Sequence, residues 1–327
     1  MGIFDKRTAV MPYEYPHLLD FMRAIRGTVW YVDEFEHSMS RDVSDYHNVL
    51  NDHERGIIKR CLLAISQIEV AVKTFWGKVG DNLPKPEIYM VGFTFANSEV
   101  IHQEAYAELI KQLGLENEFS NILKEPVIMG RIEYLTKYLK GASENAKENY
   151  VLNLLLFSAF IESCSLFSQF FIAKGFCKFK QQLKTVDNII MATAKEEDVH
   201  FQFGAELINI IKKENPEWFN EEFYEKIKRA CKKAYQAELN IIDWILQDGE
   251  LEYLPKETVV NFLRHRFNNA LIAIGMEPMY EVDKVKLEET NWFEGERVLD
   301  VRVDFFDAQS PNYTIGQQEI SADSLFK

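Results

Sequence analysis

Glu99-Val-Ile-His102 and Glu197-Asp-Val-His200 each set a carboxylate and an imidazole three residues apart. On a helix that spacing puts both side chains on one face of a single turn. Two more glutamates, Glu69 and Glu162, stand in other apolar runs. Four carboxylates and two imidazoles on four helices form a ligand set for two metal ions inside a four-helix bundle. Hard oxygen and borderline nitrogen donors in that proportion suit iron or manganese. Zinc takes fewer ligands and often thiolates. Such a pair performs oxygen and radical chemistry rather than hydrolysis.

The setting of these glutamates says more than the motif. Glu162 is the only charged residue between Tyr150 and Ala173, Glu69 the only one between Arg60 and Lys73, and Glu99 the only one between Glu87 and His102. A buried carboxylate must be paired or bound to a metal, because desolvating it alone is prohibitive. The Glu-x-x-His string itself is cheap. It occurs twice more, as Glu14-Tyr-Pro-His17, with a proline inside it, and Glu34-Phe-Glu-His37, in an acidic stretch. Both are expected to be surface or local structural features.

The elements that must position the ligands are helical. The apolar period predicts helices over 52–79, 87–113, 117–124, 126–140, 144–175, 184–214, 217–248 and 256–274, with breaks at Gly80 to Pro84, Gly114, Gly141, Gly175, Pro216, Gly249 and Pro255. Residues 1–51 read as irregular with short helical pieces, and 176–182 as a place for short strands. The chain divides into a helical metal-binding domain, 1–280, and an acidic, polar tail, 281–327, expected to be mobile. The run Tyr150 to Ala173 holds Glu162, Asn153, Gln169 and several serines, so it reads as a buried helix and not a membrane span.

A net charge of −14 over 327 residues argues against nucleic acid or an anionic membrane as partner. The four cysteines, Cys61, Cys164, Cys177 and Cys231, form neither a CxxC nor a zinc pattern. They read as reduced thiols of a cytoplasmic protein. The N-terminus shows no signal-peptide pattern, and Lys6 breaks a myristoylation pattern begun at Met1-Gly2.

The order Glu69, Glu99-x-x-His102, Glu162, Glu197-x-x-His200, with Tyr106 one turn after His102, resembles the small, radical-generating subunit of class I ribonucleotide reductase. The resemblance runs from about Trp30 to the C-terminus. It includes Trp30-Tyr-Val-Asp-Glu followed by Ser40-Arg41-Asp42, the tail segment Tyr313-Thr-Ile-Gly316-Gln317, and the apolar end Leu325-Phe326-Lys327. It implies an all-α, ferritin-like bundle with additional helices, a flexible tail and a homodimer. It further implies a dinuclear centre that reacts with an oxygen-derived oxidant. The oxidising equivalent would pass from the Tyr106 region through Trp30 and Tyr313 to a large subunit, which binds the ribonucleotide and docks on the tail.

Three departures from the family pattern stand out. Glu69 replaces the aspartate of the best-known members. Glu196 replaces the aspartate that links the tryptophan to a histidine ligand. Leu166 stands where phenylalanine is frequent, while Phe170 is retained. Lys73, four residues after Glu69, shares its helix face and would bond Glu69 or a metal-bound ligand, or draw in an anionic oxidant. Lys73 tilts the expected pair toward two manganese ions; two iron ions or a mixed pair stay open, as does the resting place of the oxidising equivalent. The competing readings are a dimetal oxidase or monooxygenase acting directly on a small or lipid substrate, an iron-storage shell, and a metal-free scaffold.

Overall fold

The structure is a computed structural model that describes residues 2–139 and 146–295. Four long elements surround the ligand positions. They are α3 (Asp52–Gly77), α5 (Pro86–Gln112), a run formed by α8 (Ala146–Leu156), the π-helical segment Phe157–Ser165 and α9 (Phe167–Lys180), and α10 (Lys184–Glu214). Helices α1 (Leu19–Gly27) and α2 (Glu36–Ser44) precede them. Helices α4 (Val79–Asn82), α6 (Glu116–Asn121) and α7 (Pro126–Leu139) lie between, and α11 (Glu221–Ile245), α12 (Lys256–Ala273) and α13 (Lys284–Glu288) follow. No β-strand occurs among the described residues; one isolated bridge joins Leu251 to Leu254. The architecture is an all-α, ferritin-like bundle with additional helices.

Local chemistry fixes where the ligand-bearing helices begin. Asn51 caps α3 by accepting the Glu54 N–H at 3.0 Å, and Glu54 returns the bond to the Asn51 N–H at 3.1 Å. Pro86 opens α5 at a position where its missing N–H costs nothing. The start of α10 is held from elsewhere in the chain. Asp42 of α2 accepts the Val186 N–H at 2.7 Å, and Asp45 accepts the Leu183 N–H at 3.0 Å, supplying acceptors and negative charge to donors the helix leaves free. Gly204 lets α10 lie against the π-helical segment, since a Cβ there would come within 2.1 Å of the Ser158 Cβ.

The π-helical segment is pinned by two buried arginines. Arg266 of α12 donates to the Ser163 carbonyl at 2.7 Å. Arg131 of α7 donates to the Ser165 carbonyl at 2.9 Å and forms a buried pair with Glu238 of α11 at 2.6 Å. The apolar run is long enough to cross a membrane by composition, but 89% of its most apolar window is buried inside the bundle.

Three expectations about elements change. Residues 176–182 form no strand: α9 continues through Gly175 to Lys180 and stops at Gln181, whose φ is +58°. Burial of Phe176 among its neighbours overrides the glycine as a helix breaker. Residues 1–51 are more helical than their prolines suggest, with α1, α2 and a π-helical turn, Asp45–Val49, closing on α3. Residues 281–295, read as the start of the tail, pack on the bundle. Trp292 stacks on Phe171 at 5.2 Å and Phe293 is fully buried. The Asp283 N–H and C=O are both bonded by the Asn261 side chain at 2.8 Å. Two aromatic rings anchor a stretch whose acidic composition hides them.

Candidate metal centre

The bundle brings all six expected ligands together, wholly buried. Glu69 comes from α3, Glu99 and His102 from α5, Glu162 from the π-helical segment, and Glu197 and His200 from α10. Two overlapping groups have ligand atoms within 4.8 Å of one another: Glu69, Glu99 and His102, and Glu99, Glu162, Glu197 and His200. Glu197 also reaches the first group, its Oε1 lying 3.3 Å from His102 Nδ1. Glu99 faces both imidazoles, 3.3 Å from His102 Nδ1 and 3.0 Å from His200 Nδ1. Glu99 and Glu197 therefore stand between two positions, with Glu69 and Glu162 at opposite ends.

Hydrogen bonding tests whether these residues fit a metal pair. Both oxygens of Glu69, Glu99 and Glu197, Oε2 of Glu162 and Nδ1 of both histidines are buried without a hydrogen-bond partner. Such a concentration of unsatisfied groups would be ruinous in an ordinary core. The outward nitrogens, by contrast, are engaged. His102 Nε2 pairs with Glu196 Oε2 at 2.6 Å, and His200 Nε2 with Ser98 Oγ at 3.1 Å. A donor role at Nε2 leaves the Nδ1 lone pair free for a metal. Charge agrees with this. Burial drives the Glu69 and Glu162 carboxyls well above their ordinary range. Burial opposes charge on His102 and His200, yet the carboxylates around them outweigh it and hold both imidazoles well above theirs. Glu197 lies lower than usual: burial pushes it up, but contacts from Glu162 and both histidines outweigh that. The cluster draws protons because it lacks positive charge, and cations would supply it.

The other expected residues divide. Tyr106 is fully buried and its hydroxyl donates to Thr193 Oγ1 at 3.2 Å. Burial, and next the Glu69 carboxylate, push its phenol far above the ordinary range, so it keeps its proton. The Trp30 ring lies nearly parallel to His102, with centroids 6.0 Å apart. Glu196 reaches His102 but does not link it to Trp30, whose indole N–H is buried without a partner. Lys73 bonds the main chain of Glu69, not its carboxylate: Nζ donates to the Glu69 carbonyl at 3.3 Å, the Val70 carbonyl at 3.0 Å and the Gln103 side chain. The remaining Glu-x-x-His copies are peripheral, with His17 on Glu206 at the surface and His37 exposed. Tyr313, the docking end and residues 296–327 lie outside the described residues.

Four neighbours of the cluster escape sequence reasoning: Trp76, Ser98, Gln103 and Thr193. Trp76 donates to Glu162 Oε1 at 2.8 Å. Spacing alone offers a signal for two of them, since Trp76 stands seven residues after Glu69 and Thr193 four before Glu197, each on the ligand face of its helix.

Fold and site together define a ferritin-like bundle with a buried carboxylate–histidine cluster compatible with a dinuclear metal site. Comparison with known proteins narrows this class. The family described as "Ribonucleotide reductase, small chain" matches residues 7–289, and the chain belongs to that family, as an oxidoreductase subunit. It is 26% identical over 291 residues to a probable ribonucleoside-diphosphate reductase small subunit of invertebrate iridescent virus 3, covering 84% of this chain and 77% of the relative. It is 20% identical over 305 residues to the ribonucleoside-diphosphate reductase subunit beta of Treponema pallidum, covering 92% and 86%. The fold is similar to the ribonucleotide reductase R2 subunit from Clostridium botulinum, with a TM-score of 0.78 at 17% identity over 91% of this chain and 94% of that one. It is also similar to the dimanganese(II)-NrdF of Streptococcus sanguinis, with a TM-score of 0.69 at 15% identity over 88% and 100%.

Proposed function

We propose that this chain is the radical-generating small subunit of a ribonucleoside-diphosphate reductase. It would hold a dinuclear metal centre through Glu69, Glu99, His102, Glu162, Glu197 and His200 and deliver an oxidising equivalent to a large subunit. The observation that carries this reading is the inward-facing set of unbonded carboxylate oxygens and imidazole Nδ1 atoms, backed by Glu196 and Ser98 on the outward nitrogens. When bound, the metal pair supplies the one-electron chemistry with an oxygen-derived oxidant that side chains lack. The chain's own residues orient the ligands, exclude water and place oxidisable aromatics. Trp30 stacks on His102 at the edge of the cluster, which supports its role as the first step of the outward path. Tyr313 in the tail would be a later step, and the extreme C-terminus the docking element.

Lys73 supports manganese as the resident metal. Its ammonium sits beside the Glu69 main chain, and positive charge there would draw in an anionic oxidant. The exposed apolar side chains Met90, Phe93 and Val100 recur along one side of α5, which supports a homodimer. The free cysteines, three of them buried, support a cytoplasmic setting.

Deleting residues 307–327 tests the proposal. The expected result is loss of ribonucleotide reduction in the presence of the large subunit, with metal content unchanged. Full activity in the truncated protein would point to direct oxidation of a substrate by this chain.

A further inference from the structure

Glu162 differs from the other three carboxylates of the cluster. Both oxygens of Glu69, Glu99 and Glu197 are buried without a hydrogen bond, but only Oε2 of Glu162 is. Its Oε1 accepts the Trp76 indole N–H at 2.8 Å. Trp76 is itself wholly buried. Its ring packs against Phe75, Phe95, Phe157 and Phe203 at centroid distances of 5.4, 5.3, 5.6 and 5.8 Å, and lies 5.8 Å from the His200 imidazole. The four phenylalanines offer the indole no acceptor, an indole N–H can only donate, and the one bond it makes is to Glu162. Neither partner of this bond can rotate away without leaving a buried polar atom unsatisfied.

We propose that Trp76 is a positioning residue that restricts Glu162 to binding a metal through Oε2 alone. The proposal rests on the reading of Glu162 as a metal ligand. A carboxylate with two free oxygens can bind through one or both, and nothing on Glu69, Glu99 or Glu197 prevents that exchange. On Glu162 the indole takes one lone pair of Oε1 and fixes how the carboxylate is turned, which leaves Oε2 as the oxygen free of any bond. The restraint falls on the ligand whose backbone is least regular, the π-helical segment, whose carbonyls at Ser163 and Ser165 are separately tied by Arg266 and Arg131. Backbone and carboxylate are thus anchored by different helices, and the cage of four phenylalanines keeps the indole in place. The consequence is an asymmetric centre: coordination adjusts at the Glu69 end and stays fixed at the Glu162 end.

Trp76→Phe deletes the N–H and keeps most of the ring packing. The variant and the unmodified full chain are loaded with manganese and compared by metal count, by electron paramagnetic resonance of the manganese pair, and by crystallography. The expected result is an equal metal count, a changed exchange-coupled manganese signal, and Glu162 Oε1 on the metal in the variant only. An unchanged signal at equal metal count overturns the proposal. Should the variant fail to fold or to load, the manganese-loaded unmodified protein decides alone. Glu162 bound through Oε2 with the indole still on Oε1 sustains the proposal, and both Glu162 oxygens on one ion overturn it. Failure of the underlying reading looks different: the unmodified protein then takes up neither manganese nor iron, and both proposals fall.

Discussion

Replacing Glu196 with leucine should weaken one metal position and spare the other. Glu196 accepts from His102 Nε2 at 2.6 Å, a short, buried, charge-assisted contact of the kind worth roughly 1.5–3 kcal/mol. With that acceptor gone, the buried N–H is unsatisfied. The imidazole tautomer with its proton on Nδ1 then becomes competitive and withdraws the lone pair that faces the cluster. Loss of such an outer partner typically lowers metal affinity about 10–100-fold, or roughly 1.4–2.7 kcal/mol. The loss should fall on the position served by Glu69, Glu99 and His102. Ser98→Ala is the mirror experiment. Its contact to His200 Nε2 is neutral and 3.1 Å long, so the expected loss is nearer ~10-fold and falls on the position served by Glu99, Glu162, Glu197 and His200. Titrating the metal-free protein with manganese, and reading free Mn(II) by electron paramagnetic resonance, resolves two binding steps per chain. Each variant should move a different step, Glu196→Leu by more. Equal weakening of both steps by either variant, or no change in Glu196→Leu, would refute the assignment of one imidazole to each position.

Asp42 gives a pH dependence whose sign is opposite to that of a surface carboxylate. Burial pushes its carboxyl from 3.8 up to about 6, against the bonds it accepts from Val186 and Thr185. The folded state therefore binds this proton more tightly, so the stabilisation is full below about pH 4 and lost as pH rises through about 6, a difference of about 3 kcal/mol. Asp42→Asn keeps an acceptor for the Val186 N–H; urea denaturation should show it gaining on the unmodified protein as pH rises from about 4 to about 6.5. Parallel profiles would show that Asp42 does not titrate in this way. Arg131→Met removes one partner of the buried pair with Glu238 and should cost about 3–5 kcal/mol in denaturant titration, whereas a loss within ~1 kcal/mol would mean the site is hydrated. Adding manganese to the metal-free protein at about 100 times its dissociation constant should raise stability by roughly 2.7 kcal/mol per position, and a melting temperature indifferent to manganese and iron would remove the dimetal reading.

Residues that act through charge were legible, because a lone carboxylate in an apolar run violates the local pattern. Glu69, Glu99 and Glu162 each announce themselves within a dozen residues, and the helices that carry them follow from the same apolar period. Residues that act through geometry were not. Trp76 and Ser98 match the apolar or small faces on which they sit, and only the fold shows that one donates to Glu162 and the other pairs with His200. The π-helical segment is hidden for a related reason. Its sequence reads as continuous helix, and the arginines bonded to its Ser163 and Ser165 carbonyls stand 103 and 34 positions away in the chain. The tail boundary misleads in the other direction, since acidic composition outweighs Trp292 and Phe293 until their packing is seen. The Glu196 case joins both kinds. Its charge makes it visible beside Glu197, and the family pattern assigns it to both Trp30 and a histidine. Yet the side chain reaches only His102, while the Trp30 ring lies nearly parallel to that imidazole with centroids 6.0 Å apart and its N–H is left unbonded. On the proposed outward path, coupling between Trp30 and the cluster would therefore have to pass by the His102 ring, because no hydrogen-bonded carboxylate bridge joins the two. Under that proposal Trp30→Phe, which keeps an aromatic ring beside His102 while removing an easily oxidised indole, is the substitution that separates packing from electron transfer.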